Sequence, residues 1–159
     1  MRTSFPPRGR KAVYRRYMEL ALEEARTAFA KGEVPVGAVI VKGDRVLSRA
    51  HNLIETLGDA TAHAEVLAIG AACRELGGWR LEGCTMAVTL EPCPMCAGAI
   101  VQARLDTVVV GAFDFKAGAA GSVYNIVQDR RLNHRAKVVY GVMQEECSEL
   151  LKRFFQQKR

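Results

Sequence analysis

Apolar or small residues recur at Tyr14, Tyr17, Met18, Ala21, Ala25, Ala28 and Phe29, a spacing of three and four that gathers them on one side of a helix. Gly32 supplies its stop. The pattern then changes period. VGAVIV and RVLSRA flank the break KGD, and β-branched runs on either side of a Gly-Asp turn predict a hairpin. Residues 61 to 76, TAHAEVLAIGAACREL, return to helical spacing with Asp59 or Thr61 available as a cap. Beyond them CTMAVTL predicts a strand, PMCAGAIVQAR a helix, TVVVGAF and KVVYGV two strands, and MQEECSELLKRFFQQ a terminal helix. Strands alternating with helices imply an α/β domain, with helices on both faces of a sheet whose later strands are mostly parallel. The opening hairpin makes that sheet mixed. Residues 112 to 136 form one long connection, and a loop of that length in a compact domain usually carries function.

At 159 residues, with 49% apolar and 25% charged residues, the chain suits a single globular domain. No apolar run approaches the roughly 18 residues of a membrane helix, and the N-terminus lacks the apolar stretch of a secretory signal, so a cytoplasmic location is expected and no membrane partner. The net charge of +6 is local. Residues 1 to 16 hold six of the 23 cations (Arg2, Arg8, Arg10, Lys11, Arg15 and Arg16) and none of the 17 acids, so residues 17 to 159 are neutral overall. The organisation read from this is a basic extension over 1–16 and one domain over 17–159. The extension can lie along a polyanion or be simply solvated.

Five cysteines, an odd number at irregular spacing, argue against a disulfide framework. Cys93 and Cys96 start a helix just after a strand, where residues three apart share a face and the helix N-terminus favours thiolate. Pro92 and Pro94 suit the entry to that helix. Alone, this Cys-x-x-Cys fits a metal site, a redox pair or two unpartnered thiols. His63 and Glu65, in TAHAEVLA, open the preceding helix. If the strand over 84–90 returns beside that helix, the two helix starts converge, and His63, Cys93 and Cys96 supply three zinc ligands with a fourth position open, the pattern of catalytic rather than structural zinc. His51 or His134 could instead complete a structural site.

HAE followed by PCPMC, with EVPVGAV at 33–39, TLEPCPMCAGA at 89–99, GAFDFKAGAAGS at 111–122, NHR at 133–135 and the terminal EC…LL…FF pattern, resembles the bacterial tRNA-specific adenosine deaminases of the zinc-dependent cytidine/deoxycytidylate deaminase superfamily. The likeness runs from about Tyr17 to the C-terminus. It implies a three-layer α/β/α cytidine-deaminase-like fold around a mixed five-stranded sheet, a homodimer with one Zn2+ per subunit, and hydrolysis of adenosine to inosine at the wobble position of a tRNA anticodon stem-loop. By position it assigns zinc to His63, Cys93 and Cys96, proton transfer to Glu65, base contact to Asn52, the pocket wall to Val34, and neighbouring nucleotides to Asp114, Lys116, Phe155 and Arg159. Two departures stand out: Leu53-Ile54 follows Asn52 where Arg-Pro is common, and phenylalanines flank Asp114. A free guanine or cytosine deaminase would carry the same metal signature, and a silent zinc-stabilised RNA-binding module is the reading outside enzymes.

Overall fold

The structure, a computed structural model, describes residues 8 to 158. Arg159 and the first seven residues lie outside it. Five strands form one sheet in the order β2-β1-β3-β4-β5, where β1 is Gly37–Lys42, β2 Arg45–His51, β3 Cys84–Leu90, β4 Thr107–Ala112 and β5 Lys137–Val139. The strand β1 pairs antiparallel with β2 and β3, while β3, β4 and β5 pair parallel. The expected mixed sheet is therefore present, as are the helices α1 (Arg8–Ala30), α3 (Ala64–Leu76), α4 (Pro94–Ala103) and α5 (Gln144–Gln157).

Alternation along the strands divides the apolar residues between two cores. Ala38, Ile40, Met86, Val88, Val108, Val110 and Val138 face α3 and α4. Val39, Val41, Ala87, Val109 and Val139 face α1 and α5. The result is three layers. Ala64, Ala68 and Ala72 repeat every four residues on the buried side of α3, so its backbone can lie close to the sheet. Gly37 serves the same end on the other face, since a Cβ there would collide with the backbone of Ala21 and Ala25 in α1. No helix among the described residues is long and apolar enough to cross a membrane.

Three local expectations need correction. Helix α3 begins at Ala64, three residues later than the pattern suggests, because Thr61 is tied to Asp59 Oδ1 by its N–H at 2.8 Å and its hydroxyl at 2.7 Å; His63 takes the cap position. The strand expected over 137–142 stops at Val139, and Gly141 turns the chain with φ of 77°. A four-residue helix, α2 (Ile54–Leu57), also stands where none was expected. Its first turn is held from a distance. The buried Glu33 carboxylate accepts the N–H groups of Glu55 at 3.0 Å and Thr56 at 2.6 Å and the Thr56 hydroxyl at 2.6 Å. Burial acts to raise the pKa of Glu33, and these donors outweigh it, leaving the group below its ordinary value.

Since β2 and β3 both run opposite to β1, they run parallel to each other, and their C-terminal ends reach the same edge of the sheet. Helix α3 follows the first of these ends and α4 the second, so both helices start at that edge, which is where open α/β sheets bind ligands. The two ends are not immediate neighbours, as β1 lies between them.

Candidate metal centre and active site

His63 and Cys93 occupy the cap positions of α3 and α4. Both have extended backbone, which turns each side chain back over its helix start. Pro94 enters α4 at its first turn, where a missing N–H costs nothing, and Cys96 lies one turn further on. His63 Nδ1 stands 3.6 Å from Cys93 Sγ and 3.5 Å from Cys96 Sγ. One donor atom from each residue lies within 4.8 Å of the other two. An imidazole nitrogen and two thiols converging at this range suit a borderline-soft divalent metal such as zinc in tetrahedral coordination.

The other histidines are committed elsewhere. His51 Nδ1 donates to Glu24 Oε1 at 2.9 Å and its Nε2 accepts from Lys31 Nζ at 3.0 Å, whereas His134 Nε2 donates to the carbonyl of Leu105 at 2.6 Å. Among the described residues the cluster therefore has three protein donors, the number that catalytic rather than structural zinc sites provide.

The Cys96 thiol hydrogen-bonds to Cys93, which lowers the Cys93 pKa; burial opposes it, and the N–H groups of Cys96 and Met95 with nearby His63 carry the group down to about 5. The same bond, with burial and the adjacent Glu65, pushes Cys96 up. Glu65, only 4% exposed, lies on the first turn of α3 within hydrogen-bonding reach of Cys96. Burial raises it to about 7 despite its own N–H and His63. A carboxyl group this far up can exchange a proton in the neutral range, as a group that both takes and gives one must.

Asn52, 5% exposed, follows β2 and turns its Oδ1 to the N–H of Ala64 at 2.8 Å. It thus supplies the cap that His63 does not make. Its Nδ2 has no hydrogen-bond partner among the described residues. Val34 is half-buried against the core under α3. Phe155 is exposed on α5, next to Phe154, which packs edge-on against Phe29 of α1 at 5.8 Å.

Asp114 and Lys116 lie on the long connection between β4 and β5. Asp114 Oδ1 accepts the N–H groups of Lys116 at 3.0 Å and Ala117 at 3.1 Å, so one of its oxygens builds the turn and the other is unengaged among the described residues. Lys116 is exposed.

Sequence reasoning passed over the group that ties this connection down. Glu91, 1% exposed, lies two residues before Cys93. Its Oε1 accepts the N–H of Asp114 at 3.2 Å and the Ser122 hydroxyl, and its Oε2 accepts the N–H groups of Ala120 and Ser122, both at 3.0 Å. Ala119 N–H also donates to the carbonyl of Pro92 at 2.8 Å. Gly118 is obligatory here, because a Cβ would meet both the Asp114 carbonyl and the Glu91 carboxylate. The available signal was an acid placed directly after the apolar run CTMAVTL and ahead of a proline-capped helix.

Comparison with known proteins agrees with this arrangement. The family model of MafB19-like deaminases matches residues 14–159. The tRNA-specific adenosine deaminase of Bacillus subtilis (strain 168) is 54% identical over 143 residues, covering 90% of this chain and 89% of the relative. That of Aquifex aeolicus (strain VF5) is 52% identical over 143 residues, covering 90% and 94%. A solved structure from work on A-to-I editing by tRNA:A34 deaminases at the wobble position of transfer RNA superposes with a TM-score of 0.83 at 45% identity, over 86% of this chain and 99% of the other. This chain is a member of the MafB19-like deaminase family and groups within it with the tRNA-specific adenosine deaminases.

Proposed function

We propose that this protein deaminates adenosine to inosine at the wobble position of a tRNA anticodon stem-loop, using one zinc ion per subunit. The observation that carries the reading is the convergence of His63, Cys93 and Cys96 with a buried carboxyl group, Glu65, in contact with Cys96. High identity to relatives named for tRNA adenosine deamination supplies the substrate class.

His63 Nδ1 and the sulfurs of Cys93 and Cys96 would hold the zinc. When bound, it supplies a Lewis acid that brings the ionisation of water from 15.7 to about 7. Glu65 takes the proton of the attacking water and passes it to ring N1 as the new C6–O bond forms. It then carries the second water proton to the exocyclic nitrogen as the C6–N6 bond breaks. Adenosine and water thereby become inosine and ammonia, with Glu65 returned to its starting state. Asn52 Nδ2 orients the base, Val34 closes one wall, and Asp114, Lys116, Phe155 and Arg159 meet the neighbouring nucleotides. The working form is a cytoplasmic homodimer.

The test is incubation of the purified protein with total tRNA, read by sequencing for A-to-I changes, beside assays of ammonia release from free guanine and cytosine. Inosine confined to a wobble adenosine, with the free bases untouched, is the expected result. Turnover of a free base without tRNA editing would replace this reading with that of a nucleobase deaminase.

A further inference from the structure

An aromatic column that the reaction does not use joins the connection after β4, which carries Phe113 and Phe115, to Tyr140, the residue after β5. Phe113 stacks on Tyr140, with centroids 5.6 Å apart and planes 19° from parallel, and on Phe115 at 6.0 Å and 22°. The inner end is fixed, since the Tyr140 hydroxyl donates to the carbonyl of Ala120. The outer end is bare: Phe115 is 80% exposed.

We propose that Phe115 is a stacking platform for a nucleobase flanking the target adenosine, an inference that rests on the proposed RNA substrate. Three observations carry it. The backbone that carries the ring is held in place, because it belongs to the turn closed by Asp114 Oδ1, and that turn is tied to Glu91 and to Pro92, the residue before Cys93. The platform is therefore positioned relative to the metal centre. Secondly, a nearly parallel column of rings offers its last flat face to one more planar group, and any base can occupy such a face. Thirdly, the neighbours suit a nucleotide and not an apolar protein surface. Asp114 and Lys116 flank the ring, and Lys116 is exposed and makes no ion pair among the described residues, leaving a cation beside the ring for a phosphate.

The test compares the wild-type protein with Phe115→Leu and Phe115→Trp on an RNA hairpin carrying the target adenosine, and on the same hairpin made abasic at each flanking nucleotide in turn. Both KM and kcat for inosine formation are measured, with hairpin affinity read by fluorescence anisotropy. Leucine keeps an apolar side chain and removes the flat face, so Phe115→Leu raises KM roughly tenfold and leaves kcat within about twofold, whereas Phe115→Trp retains affinity. The leucine penalty vanishes on the one abasic hairpin that lacks the stacked base, as coupling between two contacting groups requires. A KM unchanged by leucine, an equal loss with tryptophan, or a penalty that persists on every abasic hairpin overturns the proposal. Absence of inosine from the wild-type reaction would strike the proposed function instead, and anisotropy with the same hairpins would still decide whether Phe115 stacks.

Discussion

The side chain of Asn52 caps a helix to which it does not belong: its Oδ1 accepts the N–H of Ala64 at 2.8 Å, at the residue that joins His63 to Glu65. One side chain thus caps the start of α3, between His63 and Glu65, and its Nδ2 makes no hydrogen bond among the described residues. The cap and the proposed base contact separate by substitution. Asn52→Ala removes the cap and should cost about 1 kcal/mol of stability in urea denaturation as well as activity. Asn52→Asp keeps the acceptor, now favoured further by the helix N-terminus, but deletes the donor. It should lose kcat/KM on RNA with stability closer to wild type than that of the alanine variant. Equal destabilisation by both would show that capping is not what Asn52 contributes.

Glu91 is the anchor of the connection that carries Asp114, Phe115 and Lys116. Glu91→Gln keeps the size but points an NH2 group at backbone donors that need an acceptor. In a buried site that mismatch should cost about 2 to 4 kcal/mol. Hydrogen exchange is the sharper measure: the amides of Asp114, Ala120 and Ser122 should lose protection while those of β3 keep it. Uniform loss across the sheet would mean that Glu91 supports the whole fold instead of one loop. Ser122→Ala, which removes one donor and leaves the carboxylate otherwise satisfied, should be milder.

Glu91, together with Glu33, also marks the limit of sequence reading in this chain. Strand and helix periodicity located the main elements, because runs such as VGAVIV and CTMAVTL divide cleanly between two cores. The convergence of His63, Cys93 and Cys96 was readable because these residue types are rare in combination and sit at helix starts. Glu33 and Glu91 were not readable as anchors. A buried carboxylate is explained only by its donors, and those of Glu33 lie 22 and 23 positions away while those of Glu91 lie 23 to 31 away. Helix α2 was hidden for the same reason, as its first turn is organised by Glu33. The cap of α3 was misread because Asp59 and Thr61, good caps by type, satisfy each other.

The described part of the basic N-terminal segment acquires a location as well. Arg10 and Lys11 lie in the first turn of α1, a 23-residue helix about 35 Å long. Tyr17 donates to the carbonyl of Gly43, in the turn between β1 and β2, and Lys31 reaches His51 at the other end. The helix therefore runs from the far edge of the sheet toward the site, and its cations start at the far edge. Replacing Arg10 and Lys11 by glutamine should leave the salt dependence of binding to a short anticodon hairpin unchanged. A log-log slope reduced by roughly 0.7 to 0.9 per lost phosphate contact would show that this turn touches the hairpin after all.

The central claim is that three residues hold the metal and a fourth moves the protons. It is tested most directly by measuring zinc content and inosine formation in parallel for the wild-type protein, Glu65→Gln and Cys96→Ser. A carboxamide at position 65 cannot carry a proton but touches no metal, so that variant should keep about one zinc per subunit and lose a hundredfold or more in rate. Serine at position 96 replaces a thiolate by a neutral hydroxyl, so zinc and activity should fall together. Zinc lost with Glu65→Gln, or a fully loaded and active Cys96→Ser protein, would contradict the assignment.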